Sequence, residues 1–115
     1  MEFAIVDIET TGGSWKGGGI TEIAVLIHDG ESIVNEWQTL INPQMNIPSY
    51  ITGLTGIDNS MVRSAPTFED ISEELWELLA GRVFIAHSVN FDFGFIREAF
   101  LKIGKELNSQ KTLHC

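Results

Sequence analysis

The chain has 115 residues, 43% hydrophobic and 20% charged, which is the size and balance of one globular domain. No apolar run approaches the roughly 18 residues of a transmembrane helix. A single cysteine, Cys115, excludes both an internal disulfide framework and a cysteine-built zinc site. The net charge is −9 and the seven bases are scattered, so the basic stripe of a stable nucleic-acid binder is missing and any nucleic acid must be engaged locally.

Met1 to Glu9 lacks the basic-then-apolar layout of a secretory leader, and a cytoplasmic location is expected. Residues 3–9, FAIVDIE, are apolar on both faces except at Asp7 and Glu9, as in a central strand covered on both sides. A glycine-rich loop follows at 12–19, carrying an exposed-looking Trp15. ITEIAVLIH (20–28) and SIVNEWQTLI (32–41) are β-branched runs joined around Asp29-Gly30, which predicts an antiparallel hairpin.

A Pro- and Gly-punctuated stretch comes next, with one short helix expected near 48–53. Thr67, with Asp70 three positions on, reads as a capping box opening a helix over 68–80. Its apolar face is Phe68, Ile71, Leu75, Leu78 and Leu79, and Gly81 ends it. RVFIA (82–86) reads as a short buried strand, Asn90 as the cap of a second helix over 91–104, and KTLHC (111–115) as the start of another strand. Three strands followed by helix–strand–helix–strand predict an α/β domain with a mixed five-stranded sheet flanked by helices.

Side chains alternate faces along a strand, so Asp7 and Glu9 project from the same face about 7 Å apart. Two like charges that close are unfavourable in a covered strand unless a positive group lies between them or one keeps its proton. Neither has a basic partner nearby in the sequence, whereas a divalent cation would answer both, and carboxylate oxygens select Mg²⁺ or Mn²⁺ over zinc. The alternative is a pair of acids on a solvated edge strand. Asp92 is the candidate third ligand. It lies in the first turn of the helix after strand 82–86, and it reaches the Glu9 end of the sheet if that strand neighbours the first.

VDIETTG at 6–12 and AHSVNFD at 86–92 resemble the first and second exonuclease motifs of the DEDD superfamily, with a likeness to the proofreading epsilon subunit of bacterial DNA polymerase III and its relatives. ITEIA at 20–24 and ITGLTGI at 51–57 are similar to further segments of that family. The resemblance implies a ribonuclease H-like fold and 3′–5′ exonuclease activity, on DNA in preference to RNA, releasing nucleoside 5′-monophosphates. It implies that Asp7, Glu9 and Asp92 are catalytic and hold two divalent cations, Mg²⁺ or Mn²⁺, about 4 Å apart on the scissile phosphate. It also places Thr10, Thr11, Gly12, Leu54 and Phe91 against the terminal nucleotide, although Leu54 and Phe91 read equally well as core. His87, His28 and His114 read as structural, Glu22 as a salt-bridged or solvated acid, and two of Trp15, Trp37 and Trp76 as packed.

The family's third motif, a His followed five residues later by an Asp, is not found: no Asp follows Asp92. In the family that His is the general base and that Asp the fourth metal ligand. The expectation is therefore a domain truncated at its C-terminus, with the C-terminal helix missing and inactive or feeble alone. Its uncovered apolar sheet face would favour self-association. Expected partners are the 3′ end of single-stranded DNA and a polymerase or fused endonuclease domain, with no membrane. A non-catalytic module of the same fold that binds a polymerase or other protein is the alternative; retention of three costly acids speaks against it.

Overall fold

The computed structural model describes residues 1–107 and 111–115. A largely apolar run opens the chain as strand β1 (Phe3–Thr10), followed by β2 (Ile20–His28) and β3 (Ile33–Leu40). Helices α1 (Ser49–Thr55), α2 (Asn59–Val62) and α3 (Phe68–Leu79) lead to β4 (Val83–Ala86), α4 (Val89–Lys102) and β5 (Thr112–His114). The sheet order is β3-β2-β1-β4-β5. β2 is antiparallel to both β1 and β3, while β4 is parallel to β1 and to β5, so the expected mixed five-stranded sheet is present with β1 at its centre.

The hairpin between β2 and β3 turns at 29–32, where Asp29 Oδ1 accepts the amides of Glu31 and Ser32 and Gly30 takes a φ of +100°. The Thr67 capping box forms as expected: its hydroxyl accepts from Asp70 N, and the Asp70 carboxylate accepts from Thr67 N. Arg82 closes the other end of α3, donating to the carbonyls of Glu77 and Leu78 and pairing with Glu2 at 2.8 Å.

One continuous core lies on a single face of the sheet. Ala4, Val6 and Ile8 of β1 and Ile23, Val25 and Ile27 of β2 meet Leu75 and Leu79 of α3 and Phe95, Ile96 and Phe100 of α4. Phe100 is fully buried and stands edge-on to Phe68 and Trp76 at 5.0 and 5.1 Å. A satellite cluster of Ile47, Ile51, Ile57 and Val62 seats α1 and α2 against Leu40. Among the described residues no helix is long and apolar enough to cross a membrane.

Three sequence expectations change. β1 is covered on one face only, because α3 and α4 both pack on the Ala4–Val6–Ile8 side; Phe3, Ile5 and Glu9 are half-buried and Asp7 is exposed. The helix expected from Asn90 begins at Val89 behind Ser88, and Asn90 is an exposed first-turn residue. Ser88 acts through its backbone, its carbonyl accepting the amides of Phe91 and Asp92. All three tryptophans, Trp15 included, pack against the main core. Trp37 also donates its indole N–H to Glu74 at 2.8 Å.

Candidate active site

Pairing between β1 and β4 is confined to Phe3, Ala4 and Ile5. Beyond it β1 continues as Val6-Asp7-Ile8-Glu9 while the chain leaves β4 and enters α4, so the gap beside the end of β1 is filled by the first turn of α4. Asp92 lies there, only 6% exposed, and its carboxylate accepts a hydrogen bond from the backbone amide of Ile8. This amide sits between the two acids of β1, which brings Asp92 to the Asp7–Glu9 end of the sheet. The juxtaposition expected from the sequence is therefore present.

The electrostatics carry the same message. Burial, and then the charge of Asp7, push the Asp92 carboxyl up to about 6, with Glu9 adding to the rise and the Ile8 amide opposing it. The Glu9 carboxyl is raised by burial, by Asp7 and by Glu22. Glu22 faces Glu9 directly in the β1–β2 register and is held by Gln38 Nε2 at 2.9 Å, so it is a fourth acid at the rim, without a salt bridge among the described residues. Among the described residues no ion pair reaches Asp7, Glu9 or Asp92.

A slip of register between Glu9 and Thr10 marks a bulge just before the strand ends. Thr10 and Thr11 are buried and their hydroxyls are engaged within the turn. Thr10 Oγ1 accepts from Gly12 N at 3.1 Å, and Thr11 Oγ1 accepts from Gly19 N at 3.0 Å while lying 3.8 Å from Met45 Sδ. Gly12 has a φ of +93°, and a Cβ there would sit 2.7 Å from Ile51 Cδ1, so the turn is pressed onto α1.

Leu54 of α1 is 79% exposed, which excludes the core alternative for it. Phe91 of α4 is 41% exposed and leans on Phe95 at a centroid distance of 4.9 Å. Tyr50 escaped the sequence reading. Its ring is exposed, and its hydroxyl lies 3.4 Å from the position of a Cβ on Gly12. Its place just ahead of ITGLTGI was the available signal. His28 accepts Gly30 N in the hairpin, and His87 and His114 are exposed.

Hard, anionic oxygen donors fit divalent Mg²⁺ or Mn²⁺, and mutual repulsion without a basic partner leaves them in need of positive charge. Among the described residues no three Asp, Glu, His or Cys side chains converge tightly enough to cage an ion alone. That is compatible with Mg²⁺, which is held by one or two carboxylates together with water and substrate phosphate.

The 3'-5' exonuclease DinG of Bacillus subtilis (strain 168) is 41% identical over 114 residues, covering 98% of this chain and 12% of DinG. A PolC-type DNA polymerase III of Caldanaerobacter subterraneus subsp. tengcongensis is 44% identical over 103 residues, covering 90% of this chain and 7% of the polymerase. The chain thus spans a small part of the relatives it matches. A crystal structure of exonuclease I with the inhibitor BCBP matches with a TM-score of 0.89 at 15% identity, over 98% of this chain and 28% of that one, which establishes the ribonuclease H-like fold. Residues 4–114 match the Exonuclease family profile, and the chain belongs to that family.

Proposed function

We propose that this chain is the core of a divalent-cation-dependent 3′–5′ exonuclease that removes nucleoside 5′-monophosphates from the 3′ end of single-stranded DNA. The observation that carries the reading is the arrival of the buried Asp92 at the Ile8 amide, between Asp7 and Glu9 and without an ion-pair partner among the described residues. Asp7, Glu9 and Asp92 would hold two Mg²⁺ or Mn²⁺ ions. Bound there, the cations would supply the positive charge that a scissile phosphate needs as negative charge builds on it.

The remaining work falls to the chain's own residues. The Ile8 amide fixes the Asp92 carboxylate in place. The internally bonded Thr10–Thr11–Gly12 turn forms a rigid floor beside the acids, against which the terminal sugar would rest. Leu54 and Phe91, exposed on α1 and α4, offer surfaces on which the terminal base can stack without regard to sequence. A DNA substrate and a polymerase-associated proofreading or repair role are supported by the identity with the PolC-type polymerase. The acidic surface supports delivery of DNA by a tethered polymerase or a fused endonuclease domain rather than by long-range attraction.

Turnover by these 115 residues alone is expected to be slow. Among the described residues no histidine is hydrogen-bonded to the three acids, and loss of a positioned base costs about 10²–10⁴ in rate. The loose spacing of the acids is the one observation that favours a non-catalytic, protein-binding module instead. A 5′-labelled single-stranded oligonucleotide incubated with Mn²⁺ separates the two. A ladder shortening from the 3′ end and lost in Asp7→Ala supports the nuclease; an intact oligonucleotide from a protein that also binds no Mn²⁺ supports the module.

A further inference from the structure

The loop between β1 and β2 is closed at its base by the Thr11 amide donating to Gly19 O at 2.9 Å and by Gly19 N donating to the Thr11 hydroxyl. Its far side lies on α4. A Cβ on Gly94 would stand 2.9 Å from Trp15 Cδ1 and 3.0 Å from Nε1, so the indole is seated directly on the helix backbone. Glycine in a helix interior is otherwise unfavourable, and this close approach gives it a reason. The guanidinium of Arg97, three residues further along α4, lies 5.3 Å from the indole centroid, and Lys16 Nζ lies 5.6 Å from it. A second contact reinforces the first: a Cβ on Gly18 would lie 3.1 Å from Phe95 Cε1 and 2.7 Å from Gly12 O.

Gly94 is two residues beyond Asp92, and the loop begins directly after Glu9 and the Thr10–Thr11 turn. The indole therefore bridges the two segments that deliver the acids. The acids on those segments are like-charged and repel one another, so their approach relies on the packing of α4 against β1 and its loop as well as on the Ile8 amide.

We propose that Trp15 is a positioning residue that clamps α4 to the loop after β1, keeping Asp92 beside Asp7 and Glu9 so that the three carboxylates form one cation site. The inference rests on the cation site of the proposed function. It assigns work to a tryptophan outside the acidic motifs.

Free Mn²⁺ measured by electron paramagnetic resonance gives the affinity of the wild type, Trp15→Ala, Trp15→Phe, Gly94→Ala and the Trp15→Ala/Gly94→Ala double variant, with far-UV circular dichroism as the folding control. Removal of an outer-shell support typically weakens a metal site 10–100-fold, so Trp15→Ala is expected to weaken Mn²⁺ about tenfold. Trp15→Phe keeps a ring on Gly94 and restores most of the affinity. Gly94→Ala weakens Mn²⁺ in the wild type and has no further effect once the indole is gone, the non-additivity of a direct contact. Folded Trp15→Ala and Gly94→Ala proteins with wild-type affinity overturn the clamp and leave the exonuclease reading intact. If Trp15→Ala does not fold, Gly94→Ala and Trp15→Phe decide: unchanged affinity in Gly94→Ala overturns the clamp. A wild type that binds no Mn²⁺ removes the cation site and, with it, the clamp.

Discussion

Asp92 carries a destabilising charge, and Asp92→Asn measures it. The carboxyl rises from its ordinary 3.8 to about 6 because it is buried beside Asp7. Between these values the folded protein holds a proton that the unfolded chain has already released, so folding stability falls as pH rises through the window and stays low above it. A rise of this size corresponds to about 3 kcal/mol, and because Asp7 is exposed, solvent screens its share of the repulsion and leaves about 1–2 kcal/mol. Asparagine is close to isosteric and keeps an oxygen to accept the Ile8 amide, so the substitution removes the charge and retains the bond. Urea denaturation in EDTA, from pH 4 to 7.5, is the assay. At pH 4 the two proteins should be nearly equal. By pH 7.5 Asp92→Asn should be the more stable by about 1–2 kcal/mol, or about 4–8 °C in Tm for a domain of this size. Excess Mn²⁺ should reverse the order by stabilising the wild type alone. A variant less stable than the wild type at pH 7.5, or a difference that does not change with pH, would refute the electrostatic account of the site.

Phe100→Ala removes a fully buried ring that meets Phe68 and Trp76 edge-on, and a loss of about 3–5 kcal/mol is expected by urea denaturation. Gly12→Ala and Gly13→Ala separate backbone strain from crowding: both have positive φ, but a Cβ at Gly12 meets Ile51 at 2.7 Å while one at Gly13 meets nothing. Gly13→Ala should cost about 1–2 kcal/mol, the usual left-handed penalty, and Gly12→Ala clearly more; equal losses would mean that the turn does not press on α1. Leu54→Ala should leave the melting temperature nearly unchanged, whereas Phe91→Ala also loses its ring contact with Phe95. Each should weaken binding of a fluorescent single-stranded oligonucleotide in an anisotropy titration, Phe91→Ala by about 1–3 kcal/mol as for a stacked aromatic and Leu54→Ala by less. A drop in stability without a change in DNA affinity would assign both to packing.

The strands, their order in the chain and the three acids proposed for the site are legible in the sequence because each leaves a local mark. Asp29-Gly30 announces the hairpin, Thr67 and Asp70 announce α3, and two carboxylates in an apolar strand announce themselves. The open face of β1 leaves no such mark. Phe3 and Ile5 are as apolar as Val6 and Ile8, and only the side chosen by α3 and α4 decides which row is covered. The start of α4 is ambiguous for a related reason: Ser88 and Asn90 are both capping types, and Val89 between them is a β-branched residue that does not favour a helix. Trp15 stands in a run of glycines that suggests exposure, but its partner Gly94 is distant in sequence and carries no side chain to signal the contact. The Ile8 amide that holds Asp92 is a backbone group, invisible to any reading of side chains.

The central claim is that Asp7, Glu9 and Asp92 form one divalent-cation site, and a Mn²⁺ titration followed by the melting temperature at pH 7.5 tests it most directly. A bound cation at one hundred times its Kd stabilises by about 2.7 kcal/mol. The wild type should therefore gain about 10 °C at saturation, while Asp7→Ala and Asp92→Asn should gain little. A wild type whose melting temperature does not move with Mn²⁺, or an equal rise in all three proteins, would contradict it.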